Sequence, residues 1–214
     1  MRTHLFGTVV VGAAAALTMG LGTATWTVTP GGAFGSVAAK HSFLTDTTTG
    51  TSFQCQGLRI VGTFKSGNGL TNPIGQITAA LDAGGGAVLC GSTTQFALTF
   101  GHFPMHIRAM SYNATTGVTT GMITGIHITF SPPGGGAPCT GIIDGTGPAA
   151  NNGQVHFAYL NTGGELHLTV AGDLHTYNVT GCGGLIHSGD AISYRARTFP
   201  LNDRSGLPNT ITSP

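Results

Sequence analysis

The sequence is poor in charge. Of its 214 residues, 8 are Lys or Arg and 7 are Asp or Glu, 7% in all, against about a quarter in an ordinary soluble domain. It holds one Glu, two Lys and one Trp. A coiled coil or helical bundle needs many Lys, Glu and Arg on its solvent positions, and a charged disordered tail needs runs of one sign, so the composition excludes these classes. Nucleic acid is excluded as a partner on the same ground, because neutralising phosphates takes clustered cations. The chain has no Cys-x-x-Cys, His-Glu-x-x-His, Gly-x-Ser-x-Gly or phosphate loop. It therefore carries no motif of zinc, serine-hydrolase or nucleotide chemistry, and no cofactor is implied.

What is abundant is Gly, at 36, and Thr, at 33. Both suit turns and pleated, half-exposed strands.

The one long apolar run stands at the start. Arg2 and His4 precede an apolar stretch from Leu5 to Leu21, and Gly22-Thr23-Ala24 supplies small residues. Basic, apolar, small is the order of a secretory signal peptide, assigned to residues 1–24, with cleavage near Ala24 or Thr25. A membrane anchor fits less well, because the run is rich in Gly and Ala and has no basic flank behind it. The expectation is therefore a single secreted, extracellular domain over 25–214. Leu207-Pro208-Asn209-Thr210 lacks the Gly, apolar tail and basic end of a sortase signal, so it reads as a plain tail on a released product.

All four cysteines, Cys55, Cys90, Cys139 and Cys182, follow the leader, and export puts them where disulfides persist. Three pairings are open. Cys55-Gln56-Gly57 matches Cys139-Thr140-Gly141, and Cys90-Gly91 matches Cys182-Gly183. These shared contexts favour Cys55–Cys90 with Cys139–Cys182, and suggest that 52–130 and 138–199 are two copies of one β-motif. Thiols scattered singly argue against a structural zinc.

The dominant hydrophobic period is two. Val155, Phe157 and Tyr159 alternate with Gln154 and His156; Leu166, Leu168 and Val170 alternate with His167 and Thr169. Such alternation marks half-buried strands. Strands are expected near 26–29, 34–38, 52–64, 74–81, 96–100, 107–113, 119–130, 139–145, 154–160, 165–170, 174–179 and 190–199. Turns are expected at Ser66-Gly67-Asn68-Gly69, Asn151-Asn152-Gly153 and Thr162-Gly163-Gly164, among others, with loops at the glycine runs 84–86 and 134–136. Short, regularly spaced strands imply an all-β fold, an antiparallel sandwich or barrel stapled by disulfides.

Histidine is the main reserve of ionisable groups. His102, Met105 and His106 bring two imidazoles and a thioether into five residues, a donor set for copper or zinc. His127, His156 and His167 lie on polar faces of expected strands and would converge if those strands were neighbours. His175 and His187 stand near Asp173 and Asp190, each a candidate Asp–His pair. The eight histidines beyond the leader would bring the neutral mature chain to about +8 by about pH 5 if all stayed exposed. Seven acids, Asp46, Asp82, Asp144, Glu165, Asp173, Asp190 and Asp203, are scattered and expected in turns, where Asp bonds nearby backbone. A glycosidase would need two of them facing one sugar. Trp26, Phe103 and Tyr112 are candidate sugar-stacking rings, and Asn113 and Asn178 begin glycosylation sequons.

The stretches TWTVTPGGAF (25–34), LTDTTTGTSFQCQG (44–57), MSYNATTGVTTGMITGIHITF (110–130) and YNVTGCGGLIHSGDAISYRARTF (177–199) resemble a group of small secreted proteins of actinomycetes. The resemblance implies export and carries over no catalytic residue. Around Ser52-Phe53-Gln54-Cys55 the chain is also similar to the secreted alkane-oxidation activators of proteobacteria, which implies a role at hydrocarbon or cell surfaces. The sequence thus points to an exported non-enzymatic β-domain at the cell envelope or in the extracellular matrix. The alternatives are a secreted hydrolase without a recognisable motif and a His-based metal-binding module.

Overall fold

The computed structural model describes residues 24–38, 40–91, 95–133 and 139–213. The leader expected over 1–24, apart from its last residue, and the glycine run 134–136 lie outside them. The strands are, in order, β1 (Trp26–Thr29), β2 (Gly32–Ala38), β3 (His41–Asp46), β4 (Ser52–Gln56), β5 (Arg59–Phe64), β6 (Gly67–Leu70), β7 (Gly75–Leu81), β8 (Val88–Cys90), β9 (Phe96–Gly101), β10 (Met105–Asn113), β11 (Val118–Ser131), β12 (Thr140–Asp144), β13 (Gly153–Leu160), β14 (Glu165–Gly172), β15 (Leu174–Thr180), β16 (Ala191–Asn202) and β17 (Thr210–Thr212). All pairings are antiparallel, and no α-helix occurs among the described residues.

Of the two architectures expected, the chain forms the barrel. The order β2-β5-β7-β10-β11-β13-β14-β16 returns to β2 and closes an eight-stranded ring. A second ring, β3-β4-β8-β9-β11-β12-β15-β16, returns to β3. Both follow chain order. The long strands β11 and β16 run through both rings, and the other six positions are filled by strands interrupted at the waist, such as β4 then β5. The molecule is thus one up-and-down barrel with a narrow break in most strands at mid-height. Closure leaves a barrel no free edge.

The waist explains one departure from expectation. Residues 52–64 read as a single strand, but the chain breaks at 57–58, where it leaves β3 and β8 for β2 and β7. At the corresponding point of β11 the register shifts between Thr124 and Ile126. Gly125, at φ +85, makes that shift, in a region of backbone space that costs L-residues.

The first ring is capped at its outer end by a small sheet in the order β17-β1-β6. Trp26, Val28 and Ile211 are fully buried beneath it. Tyr159 Oη donates to the Asn209 carbonyl, and Asn161 Nδ2 donates to that of Ile211 at 3.0 Å. We call this half the plugged ring. Two expectations change here: the glycine-rich turn at 66–69 contributes β6, and the tail after Leu207 ends in a docked strand. At the far end, Cys182 and Ile186 are buried in the core. The disulfides Cys55–Cys90 and Cys139–Cys182 both lie in the second ring, which we call the stapled ring. They bridge β4 to β8 and the entrance of β12 to the exit of β15, four positions apart around eight strands. The favoured pairing is the one that forms.

Inward positions are Phe34, Ile60, Ile77, Ile107, Ile123, Phe157 and Leu168 in the plugged ring, and Phe53, Phe96 and Phe130 in the stapled ring. Outward positions carry mainly Thr, Gln, His and Arg, with Val37, Phe43, Met110 and Val170 scattered singly among them. This is the reverse of a lipid-spanning barrel, whose apolar band faces out. Packing is tight: a Cβ on Gly121 would lie 2.5 Å from the Phe157 ring and 2.2 Å from the Arg108 carbonyl.

Candidate functional site

The interior is not a binding chamber. A void at the waist measures about 30 Å³ and is lined by Ile60, Ile77, Met105, Ile123, Leu168, Tyr194 and neighbouring apolar side chains. An apolar void of this kind stays dry. Chemistry has to be sought on the outside.

The structure separates the candidate metal ligands. Met105 and His106 are consecutive on β10, so they face opposite ways. Met105 is buried against the void, whereas His106 is outward, paired in register with Gln76 and Thr124. His102 joins neither. It stands at φ +56 at the waist, and its ring meets His127 edge to face at 4.5 Å. No group of three His, Cys, Asp or Glu side chains suited to a metal occurs among the described residues.

His127 instead bonds Asp144, at 2.9 Å from Nδ1 to Oδ2. The two sit on neighbouring strands, one residue beyond the pair Ile128↔Ile143. Asp144 also accepts the backbone N–H groups of Gly145, Asn151 and Asn152. Burial pushes its carboxyl up, but the His127 bond and these amides outweigh that and hold it below the ordinary value. An Asp–His pair could orient a general base. Here the carboxylate is committed to folding the 145–152 turn back onto the waist, and no Ser, Thr or Cys side chain bonds a histidine ring among the described residues.

Of the two Asp–His pairs read from sequence, one forms through side chains. His187 Nδ1 lies 3.3 Å from Asp190 Oδ2. His175 Nδ1 bonds the backbone carbonyl of Asp173, whose carboxylate takes Gln154 instead. Asp190 has a second neighbour that sequence did not suggest, the fully buried Asp46. Asp46 Oδ1 accepts Thr48 and Thr49 N–H, while Oδ2 has no donor of its own. Burial pushes Asp46 up, whereas hydrogen bonds from Asp46 and His187 hold Asp190 low against its own burial. The pair lies where β3 ends and β16 begins.

His127, His156 and His167 do not converge. His127 belongs to the stapled ring, while His156 and His167 lie on β13 and β14 of the plugged one. His167 Nε2 is 3.0 Å from Glu165 Oε1, which Arg197 also holds. Burial raises the Glu165 carboxyl, but His167 and Arg197 lower it overall.

Glu165, His167 and Arg197 belong to a larger outward face over β4, β3, β16 and β14. Phe43 is opposite both Gln54 and Arg195; His41 is opposite Gln56, and Arg197 is opposite His167. Gln54–Phe43–Arg195 make one cross-strand row, and beside it lie the pairs Gln56–His41 and Arg197–His167. Surface grooves of about 700 and 330 Å³ run along them and share His41. The candidate stacking rings lie elsewhere: Trp26 is inside the plug, and Phe103 and Tyr112 pack partly on the core. The exposed aromatic of the face is Phe43, which sequence reasoning passed over because β3 was not expected.

No family model matches the chain, and neither a curated protein nor a solved structure matches it.

Proposed function

We propose that this chain is an exported, non-enzymatic β-barrel module that works through its outer surface at the cell envelope or in the extracellular matrix. The observation that carries this reading is the division of labour across the barrel wall. The inside is filled with apolar side chains to within a void of about 30 Å³, while the outside presents a grooved face of Gln, His, Arg and Phe. Two disulfides suit an oxidising compartment, and the apolar leader and the resemblance to secreted actinomycete proteins agree with export. Three buried carboxylates hold local structure: Asp144 a turn, Asp46 the Thr48 and Thr49 amides, and Asp190 the His187 amide and ring.

Purified mature protein should leave glycans, esters and peptides unchanged. Turnover abolished by Asp144→Asn or Asp190→Asn would overturn the reading in favour of a hydrolase. Export is tested by mass spectrometry of the unreduced culture supernatant, which should contain chains beginning near Thr25. Retention of the full-length chain in cells would contradict it.

A further inference from the structure

We infer that the outward face over β4, β3, β16 and β14 is a binding platform for an acidic polysaccharide, that is, an extended polyol chain bearing carboxylates. The inference rests on the reading of the chain as a surface-acting module and names its site and ligand class.

Charge is the first argument. Beyond the leader the chain has seven Lys and Arg. Arg195, Arg197 and Lys40 all line these grooves, with His41 and His167 between them. The one acid on the face, Glu165, is already engaged by His167 and Arg197. In a chain this short of charge, such a concentration leaves an uncompensated cationic strip. Arg197 retains 59% exposure of its side chain while holding Glu165, so its guanidinium can take a second carboxylate. Arg offers a planar fork that matches a carboxylate in two bonds.

Shape and neighbouring groups are the second. Four adjacent strands make a face about 15 Å wide, crossed by continuous grooves rather than a closed pocket, which suits a chain and not a small molecule. The side chain of Gln54 projects outward and is exposed at one end, with an amide that can both donate to and accept from hydroxyls, and the Gln56 amide, whose oxygen takes the Leu89 N–H, has its NH2 to donate. Phe43 supplies an apolar surface in the middle, steadied by the Arg195 guanidinium 5.8 Å above its ring. Cations for carboxylates, amides for hydroxyls and a ring face for a sugar ring meet in one row.

Binding of the mature protein to polygalacturonate, dextran, phosphatidylglycerol vesicles and a short DNA duplex should be measured by titration in moderate and high salt. Polygalacturonate should bind, more weakly in high salt, with dextran, vesicles and DNA well behind. R195Q/R197Q should weaken binding by about tenfold or more. Gln54→Ala, at an exposed position where folding is not at stake, should weaken it by about threefold. Arg108→Gln, on β10 across the barrel, should leave it unchanged. Equal binding of dextran, vesicles or DNA would overturn the ligand class, and an unchanged R195Q/R197Q would overturn the site. Silence in every arm would overturn the platform and leave the exported barrel standing. Release of reducing ends would overturn the non-enzymatic reading and leave the platform standing.

Discussion

In the plugged ring, β11 and β13 face each other from Val118↔Leu160 to Ile126↔Gly153. In the stapled ring, β4 meets β8 at Cys55↔Cys90 alone. Around that pair the ladder is patched. Gly91 N–H reaches the Gln54 carbonyl at 2.9 Å, and Leu89 N–H takes the Gln56 side chain at 3.3 Å, while the Gln56 carbonyl accepts the Ser42 hydroxyl. The disulfide crosses the barrel wall where backbone pairing is thinnest. Both rings are closed by backbone pairing, the plugged one with a capping sheet as well, but the stapled ring carries a covalent bond at its thinnest seam, between β4 and β8. In the second, integrity depends on the redox state of the compartment, which an exported protein can rely on and a cytosolic one cannot.

The largest expected effects break this difference at the staples. Replacing Cys55 and Cys90 by Ser should cost about 4 kcal/mol, and the Cys139 and Cys182 pair a similar amount, as each bridge closes a loop of 35 or 43 residues. Urea unfolding should show these losses, and a cost near zero would mean that the ring closes without its staples. Next comes the core of the plugged ring. Phe157→Ala should cost about 3–5 kcal/mol and lower the midpoint for the whole barrel, because β11 and β16 tie the rings together. Asp144→Asn comes third, at about 2 kcal/mol. The Asp144 carboxyl lies below its ordinary 3.8 when folded, so its contribution is full above that value and is lost as pH falls through the depressed one. The variant's stability should therefore vary less with pH below about 4, as acid titration of unfolding would show. The smallest effect tests the plug. Tyr159→Phe removes the bond to Asn209 and should cost about 1 kcal/mol, seen first as faster amide exchange in β17.

Alternation made β13 and the first half of β14 legible in the sequence, because Val155, Phe157, Tyr159, Leu166 and Leu168 face a continuous core, whereas Val170, read as the next inward residue, is exposed. The disulfide pairing was legible too, from the matched Cys-x-Gly and Cys-Gly contexts. The strands that sequence missed lacked that pattern. β6 is Gly-Asn-Gly-Leu and joins the capping sheet through its backbone. β8 has three residues, and β3 begins at His41 beside a polar turn. The site was less legible than the fold. His127 and Asp144 are 17 residues apart and meet through the register of β11 with β12. The row of Gln54, Phe43 and Arg195 exists only once the barrel closes and brings β3 beside β16.

Amide hydrogen exchange on the protein before and after reduction under native conditions tests the two-ring account most directly. The account predicts that β3, β4, β8 and β9 lose protection on reduction while β5, β7 and β13 keep theirs. Equal loss in both groups of strands, or no loss in either, would contradict it.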